Sequence, residues 1–242
     1  MKGGGEVYRL TLAGVTIDCR FEFADTPRCF GGYVSGPYPE GECAVALSEA
    51  CRRGFLEENA FNEYSTFALA VSDRLLTQGR CVMHAAAFRF RNRAYLICAP
   101  SGVGKSTQMK TLTELYPGEF SVISGDRPVL EATENGIIVH PSPWNGKEGW
   151  CGAGKAKLAA IILLKRGEQS DLQMLKPRSC AARIYSSIFN SAEDEESIRR
   201  TAAFAELLLK QTPVWEFING GVPNSTRLLY EKVLREAEDY GV

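Results

Sequence analysis

The stretch APSGVGKS at residues 99–106 has the composition of a phosphate-binding loop. It fits the pattern G-x-x-x-x-G-K-[ST], with Ala99 in place of the first glycine. In such a loop successive backbone N–H groups face inward and bind phosphate oxygens. Lys105 would reach the β- and γ-phosphates of a nucleotide, and the Ser106 hydroxyl would bind Mg²⁺. The sequence therefore predicts nucleotide binding by the consecutive residues Ala99, Pro100, Ser101, Gly102, Val103, Gly104, Lys105, Ser106 and Thr107.

The segments on either side of this loop strengthen the prediction. Residues 94–98 form a short apolar run typical of a strand, and Thr107 to Tyr116 predicts a helix. A helix that starts at the loop aims the positive end of its dipole at the bound anion. A glycine-rich surface turn is the alternative, and the order strand, loop, helix argues against it.

Asp126 is the second candidate for chemistry. It follows an apolar run, Phe120 to Ser124, that predicts a strand. In doubly wound and related sheets the carboxyl ends of strands face the phosphates, so a carboxylate there could bind Mg²⁺ or accept a proton from an attacking hydroxyl. The alternative is a turn aspartate that caps its own backbone. Beside a predicted phosphate loop, we favour the functional reading.

The two histidines are weaker candidates. His84 lies in a predicted strand, Cys81 to Phe90, whose partner leads into the glycine-rich loop. It could therefore lie near the γ-phosphate, or it could be an ordinary strand histidine, and periodicity does not decide between them. His140 comes at the end of a strand and before a proline, and its signal is weaker still.

The segment from His140 to Gly154 is rich in proline, glycine and tryptophan. Loops of this length in compact domains are often functional. Glu148 could be a second carboxylate for Mg²⁺, Lys147 could contact phosphate or substrate, and Trp144 belongs to the same candidate substrate loop. Equally, the segment could be a surface loop pinned by its two tryptophans.

The remaining pattern predicts an α/β fold with a mixed sheet, flanking helices and a small β-rich N-terminal part. We divide the chain into an N-terminal region, 1–80, and a second domain, 81–242. The elements predicted from periodicity and turn residues are a hairpin at Val7–Leu12 and Val15–Phe23, a helix from about Gly54 to Gly79, a hairpin at Val129–Glu131 and Gly136–Val139, strands at Lys157–Lys165 and Pro213–Ile218, and helices at Pro177–Asn190, Glu195–Lys210 and Asn224–Ala237.

Composition excludes several classes of protein. With 45% hydrophobic residues in 242, a sizeable core is expected, and a formal net charge of −1 gives no indication of binding to nucleic acid or to an anionic membrane. The eight cysteines contain no C-x-x-C pair, and many lie in apolar runs, as reduced thiols do. The N-terminus lacks an apolar signal region, and no run is long enough to span a bilayer. We therefore predict a soluble cytoplasmic protein and leave its oligomeric state open.

Three motifs in order resemble a known family. His84, then the stretch Ala99 to Ser106, then Ser124-Gly125-Asp126-Arg127 are similar to the kinase domain of HPr kinase/phosphorylase. The chain also resembles the shorter HPr-kinase-related serine kinases, some of which modify peptide precursors, and more distantly ATP-dependent phosphoenolpyruvate carboxykinase. The resemblance covers about residues 81–238, and residues 1–80 resemble the small β-rich N-terminal part of the shorter relatives.

The resemblance implies a fold and a set of roles. It implies a P-loop kinase of the HPr-kinase and carboxykinase-like type in which Lys105 binds phosphate and Ser106 binds Mg²⁺. Asp126 would be the base on the acceptor hydroxyl, a metal ligand or both, and His84 would lie against the transferring phosphate. Glu148 falls near the position of the second metal carboxylate in that family.

One departure affects the expected metal site. Gly125 replaces the first of the paired aspartates that the family usually carries, which predicts weaker or rearranged metal binding. The phosphorylase activity of the bifunctional enzyme is not implied, because its downstream signature is absent from the sequence.

The sequence thus predicts a phosphotransferase that uses ATP and Mg²⁺ and moves the γ-phosphoryl group to a hydroxyl, as a serine kinase does. The expected acceptor is a serine or threonine of a peptide or protein. Two alternatives remain: a nucleotide-binding regulatory module without turnover, which Gly125 favours, and a carboxykinase-like enzyme acting on a small acid, which the chain length disfavours. No motif in the sequence distinguishes ATP from GTP.

Overall fold

The structure is a computed structural model that describes residues 6–38, 45–48, 51 and 57–235. These residues form a three-stranded sheet and a nine-stranded sheet with helices against it. The strands are β1 (Val7–Leu12), β2 (Val15–Cys19), β3 (Val34–Tyr38), β4 (Arg80–Val82), β5 (Ala86–Phe90), β6 (Arg93–Cys98), β7 (Phe120–Ser124), β8 (Val129–Thr133), β9 (Gly136–His140), β10 (Ala156–Arg166), β11 (Asp171–Leu175) and β12 (Val214–Asn219). The helices are α1 (Thr26–Cys29), α2 (Ala60–Leu76), α3 (Lys105–Leu115), α4 (Pro177–Ser187), α5 (Glu195–Gln211) and α6 (Asn224–Leu229), with a 3-10 turn at Gly31–Tyr33 and a π-helical turn at Tyr230–Arg235.

The small sheet is antiparallel and has the order β2-β1-β3. The predicted hairpin of β1 and β2 is confirmed, with Leu10 opposite Ile17. The apolar side chains of this sheet are buried against Phe67 and Val71 of α2 in one hydrophobic cluster. The same cluster includes Val129 of the large sheet, so the two sheets share a core. The predicted boundary between residues 80 and 81 falls inside β4, and the division into two domains stays a prediction.

Helix α2 begins later than the sequence predicted. The Asn59 side chain accepts a hydrogen bond from the Asn62 N–H and caps the helix, so Ala60 is its first residue. The predicted start near Gly54 lies outside the described residues. Glu63 in the first turn is buried, and its carboxylate accepts hydrogen bonds from the backbone N–H groups of Glu22 at 2.7 Å and Phe23 at 3.1 Å. Because a buried carboxylate needs such donors, this contact fixes α2 against the end of the hairpin.

Strand β10 organises the large sheet. It runs parallel to β6 and β12, and Leu163 of β10 lies opposite both Cys98 and Glu216. Helices α4 and α5 pack on one face of these strands, and α3 and α6 pack on the other. Burial on both faces explains why β10 is an almost continuous apolar run. The carboxyl ends of three parallel strands therefore meet at one edge of the sheet.

The predicted mixed α/β class with flanking helices is confirmed, while the narrower assignment to P-loop kinases stays a prediction. One element prediction was wrong, and one strand of the large sheet was missed. The predicted strand from Cys81 to Phe90 is two strands, because β4 pairs with β8 whereas β5 pairs with β6 and β7, and the chain bends where it changes partners. Strand β11 was not predicted, because it is short and, although its residues alternate polar and apolar, none of its side chains is buried. Among the described residues, no helix combines the length and apolar character needed to cross a bilayer.

Candidate functional site

The glycine-rich loop connects β6 to α3 at the edge where the parallel strands end. Gly102 and Gly104 have positive φ values of 78° and 118°, and Gly104 is the residue that precedes the first turn of α3. Glycine is required there because other residues are strained at such values. Ala99 does not have a positive φ, which explains why alanine can replace a glycine at the start of the motif. The first N–H groups of α3 have no intrahelical acceptor, so they can bind an anion.

Lys105 is the first residue of α3, and its side chain lies under the loop. The residue is 9% exposed, and its Nζ atom donates to the Ala99 carbonyl at 2.8 Å and lies 3.2 Å from His84 Nε2. Burial lowers the pKa of Lys105, and the negative charge of Asp126 opposes that shift. The Lys105 side chain therefore lies inside the loop, in contact with its first carbonyl and with His84.

Asp126 follows β7 and contacts the same nitrogen of His84 that Lys105 contacts. Its Oδ1 atom is 3.4 Å from His84 Nε2, and its Oδ2 atom accepts a hydrogen bond from Arg127 Nε at 3.1 Å. Burial alone would raise the pKa of Asp126, but the hydrogen bond from His84 and the charges of Arg127, His84 and Lys105 lower it overall. The carboxylate is therefore ionised near neutral pH and, at 22% side-chain exposure, remains accessible.

His84 owes its place to the bend between β4 and β5. Its backbone N–H donates to the Ser187 carbonyl at 2.7 Å, and the next N–H, of Ala85, donates to the Asp126 carbonyl at 2.9 Å. These bonds replace the strand ladder at the bend and place His84 Nε2 within reach of both Lys105 Nζ and Asp126 Oδ1. The structure thus brings together His84, Lys105 and Asp126, which the sequence had singled out from three separate segments.

No protein-family model matches the chain, and no curated protein matches it. Among solved structures it is similar to the Hpr(Ser) kinase/phosphatase from Coxiella burnetii, with 13% sequence identity, a TM-score of 0.41, and coverage of 66% of this chain and 91% of that chain. This likeness is distant.

The predicted Mg²⁺ ligands lie on different elements. Ser106 is half-buried in the first turn of α3, and Asp126 follows β7. Mg²⁺ is usually bound by one or two carboxylates together with phosphate oxygens and water, so these two side chains fit the ion when a nucleotide supplies the rest. Near this point of the chain, the buried oxygens Ser124 Oγ and Asn145 Oδ1 have no hydrogen-bond partner among the described residues, as is also true of Arg200 Nε and Thr212 Oγ1 elsewhere. The described residues contain no cluster of three or more acidic, histidine or cysteine side chains that could bind a metal without phosphate.

The predicted substrate loop divides into a buried part and an exposed tip. Trp144 is 2% exposed, packs edge-on against Phe30 and donates from Nε1 to the Tyr64 carbonyl at 2.8 Å. The structure therefore gives Trp144 a packing role that anchors the loop. Lys147 and Glu148 lie on the exposed tip, and within the described residues no hydrogen bond or ion pair joins either of them to Asp126.

Gly125 allows the loop to lie against the end of β7. Its N–H donates to the Trp150 carbonyl at 2.8 Å, and a Cβ atom at this position would lie only 2.6 Å from the Asn145 carbonyl oxygen. Any side chain at position 125 would push the loop away. The family resemblance led us to expect an aspartate at position 125. The close approach of the loop gives a physical reason for a glycine there.

Arg166 was missed by the sequence analysis. It ends β10 next to the glycine-rich loop, and its guanidinium donates to the Gly102 carbonyl and, from Nε at 3.3 Å, to the Val103 carbonyl. A carbonyl bound on the Arg166 side leaves the N–H groups of the loop available to an anion on the other side. The available signal was that Arg166 directly follows a buried strand that we predicted in the same domain as the loop.

We expect Arg166→Ala to weaken binding of Mg·ATP by about 2- to 10-fold, the loss equivalent to a typical hydrogen bond. Calorimetric titration measures the dissociation constant directly. Arg199→Ala is the matched control, because Arg199 pairs with Glu195 on the exposed face of α5. If both variants bind nucleotide as the parent does, Arg166 does not support the loop.

Proposed function

We propose that this protein is an ATP-dependent phosphotransferase that moves the γ-phosphoryl group of ATP to a hydroxyl group, with a serine or threonine of a peptide or protein as the acceptor. The observation that carries the proposal is that Lys105 Nζ, at 3.2 Å, and Asp126 Oδ1, at 3.4 Å, both contact His84 Nε2 beside a glycine-rich loop at a helix N-terminus. The part of the proposal that concerns a peptide or protein rests on the sequence resemblance.

Each group has a role that the chemistry of phosphoryl transfer requires. The loop N–H groups and Lys105 would bind the phosphates and offset the negative charge that they carry. Asp126, which is ionised and accessible, would accept the proton of the attacking hydroxyl and so orient it for in-line attack. His84 Nε2 contacts both Lys105 and Asp126, and the ring would lie against the transferring phosphate, as the resemblance implies.

Ser106 and Asp126 are the residues that would hold Mg²⁺ together with the phosphates. When bound, the ion supplies further charge neutralisation on the β- and γ-phosphates. Glu148 lies exposed on the loop tip and could approach the site only if that tip moves.

The proposal is tested by incubating the full chain with Mg²⁺ and γ-labelled ATP in the presence of serine and threonine peptides and of HPr. The expected result is label on a hydroxyl of the acceptor, stable to acid as a phosphoester is. Nucleotide binding without label on any acceptor, and without phosphate release, would instead identify a binding module. Formation of ADP that requires a small dicarboxylic acid would identify a carboxykinase-like enzyme.

The loop tip gives a further expected result. Residues 146–149 are exposed beside Asp126, whereas the Gly152 N–H is already bonded to the Ile123 carbonyl at 3.1 Å. We expect Mg²⁺ and a non-hydrolysable ATP analogue to increase hydrogen-exchange protection of peptides covering the tip, because loops of this kind close over phosphates and exclude water. Lys147→Ala should also lower transfer.

The exposed β8–β9 turn at Glu134 and Asn135 serves as an internal control for that experiment, since it belongs to another part of the surface. Unchanged exchange at the tip, together with full transfer by Lys147→Ala, would exclude closure of this loop.

A further inference from the structure

Arg127 is held from several sides at once. Its Nε atom donates to Asp126 Oδ2 at 3.1 Å, one terminal nitrogen donates to the Ser65 carbonyl, and the other donates to Ser65 Oγ at 3.2 Å. The guanidinium carbon also lies 4.8 Å from the centre of the Phe189 ring. With a side-chain exposure of 19%, this arginine has little freedom to adopt another conformation.

The anchor point belongs to α2, in the N-terminal region. Tyr64 and Ser65 are neighbours on this helix, and they attach two different parts of the site. Ser65 binds Arg127, while the Tyr64 hydroxyl donates to the Pro143 carbonyl at 2.6 Å in the segment before the loop tip. The Ser142 hydroxyl closes the arrangement by donating to the Arg127 carbonyl. One turn of α2 therefore supports both the candidate base and the loop beside it.

We propose that Arg127 is a positioning residue that uses its anchor on α2 to hold the Asp126 carboxylate towards His84. The geometry requires an arginine, because a planar guanidinium can bind a carboxylate through one edge and a second acceptor pair through its terminal nitrogens. A lysine would keep the charge but, as a single point donor, could not span Asp126 and Ser65. The consequence for catalysis rests on the proposed function; the orientation of Asp126 does not.

The orientation is tested without any turnover. The sequence contains two histidines, His84 and His140, so each ring gives its own set of nitrogen resonances. In Arg127→Ala and Arg127→Lys, we expect the Nε2 resonance of His84 to shift, because the carboxylate opposite it is released. His140 should keep its resonance, since its Nε2 atom bonds to Glu131 at 2.8 Å. An unshifted His84 resonance in both variants would overturn the proposal.

The effect on the reaction is measured by comparing the change in transfer rate with the change in affinity for Mg·ATP. For Arg127→Ala we expect transfer to fall by about 10- to 100-fold, the usual loss when a partner that orients a functional ligand is removed. Affinity for Mg·ATP should stay within about threefold. Arg127→Lys should recover only part of the loss, and Ser65→Ala should have a small effect, because the Ser65 carbonyl still accepts a hydrogen bond.

Arg199→Ala again provides the exposed arginine control. Full activity in Arg127→Lys would mean that charge alone matters and would refute a positioning role. If the parent protein transfers no phosphoryl group, the proposed function fails, and the His84 resonances alone decide the proposal about Arg127. If Arg127→Ala does not fold, the lysine variant carries both measurements.

Discussion

Lys105→Ala is expected to weaken the binding of Mg·ATP by about 10- to 100-fold, since hydrogen bonds to charged groups contribute about 1.5–3 kcal/mol. Nζ of Lys105 now bonds to the Ala99 carbonyl and lies next to His84, inside the loop that would surround the phosphates. A cation in a partly desolvated site interacts more strongly with phosphate than one in water. Calorimetric titration of both proteins with nucleotide measures the change.

A matched control is available on the same helix. Lys110 is exposed and lies 3.9 Å from Glu114 across one helical turn, so Lys110→Ala removes a lysine from α3 without touching the loop. Because burial already disfavours the charged form of Lys105 and lowers its pKa, the alanine variant should fold as well as the parent. Nucleotide should then raise the melting temperature of the parent and of Lys110→Ala, but much less that of Lys105→Ala. Equal affinities in all three proteins would remove the basis for nucleotide binding at this loop.

The sequence predicted the strand, the turn and the helix around Lys105 because these elements follow one another directly in the chain. The strand, the glycines with positive φ and the first residues of α3 follow one another within a short stretch, so local rules determine their arrangement. His84 approaches Asp126 because the chain bends between β4 and β5, which pair with different strands. The periodicity of the sequence does not reveal such a bend. The resemblance to a family pointed to both residues, and the structure shows that their side chains are in contact.

The supporting residues could not be predicted for a different reason. The bonds between Arg127 and Ser65 depend on how α2 packs across the end of the large sheet, and that packing joins segments far apart in the chain. Trp144 and Trp150 could not be told apart by composition, although only Trp144 is in the core. The close approach of Asn145 to Gly125 likewise exists only in three dimensions. Sequence rules therefore identified candidate chemical groups and missed what holds them in place.

Asp126→Asn is expected to reduce transfer by about 10²- to 10⁴-fold, the range that a general base typically contributes. Asparagine has nearly the same shape and can still accept a hydrogen bond from Arg127, so the loop and strand should keep their positions. It cannot take up a proton, and it has no charge with which to bind Mg²⁺. Since the loop N–H groups and Lys105 remain, the affinity for ATP should change by only about a few-fold.

The comparison with other variants decides which role Asp126 has. Asp25→Asn is the control, because Asp25 pairs with Arg28 in an exposed contact of 2.9 Å remote from the loop in sequence. A base and a metal ligand predict different responses to Mg²⁺: if Asp126 mainly binds the ion, a large excess of Mg²⁺ should restore much of the lost activity by mass action. If it accepts the proton, activity should stay low at every Mg²⁺ concentration. Turnover by Asp126→Asn equal to that of the parent would rule out both roles, and the low pKa of this carboxylate would then reflect only its ion pair with Arg127 and its contact with His84.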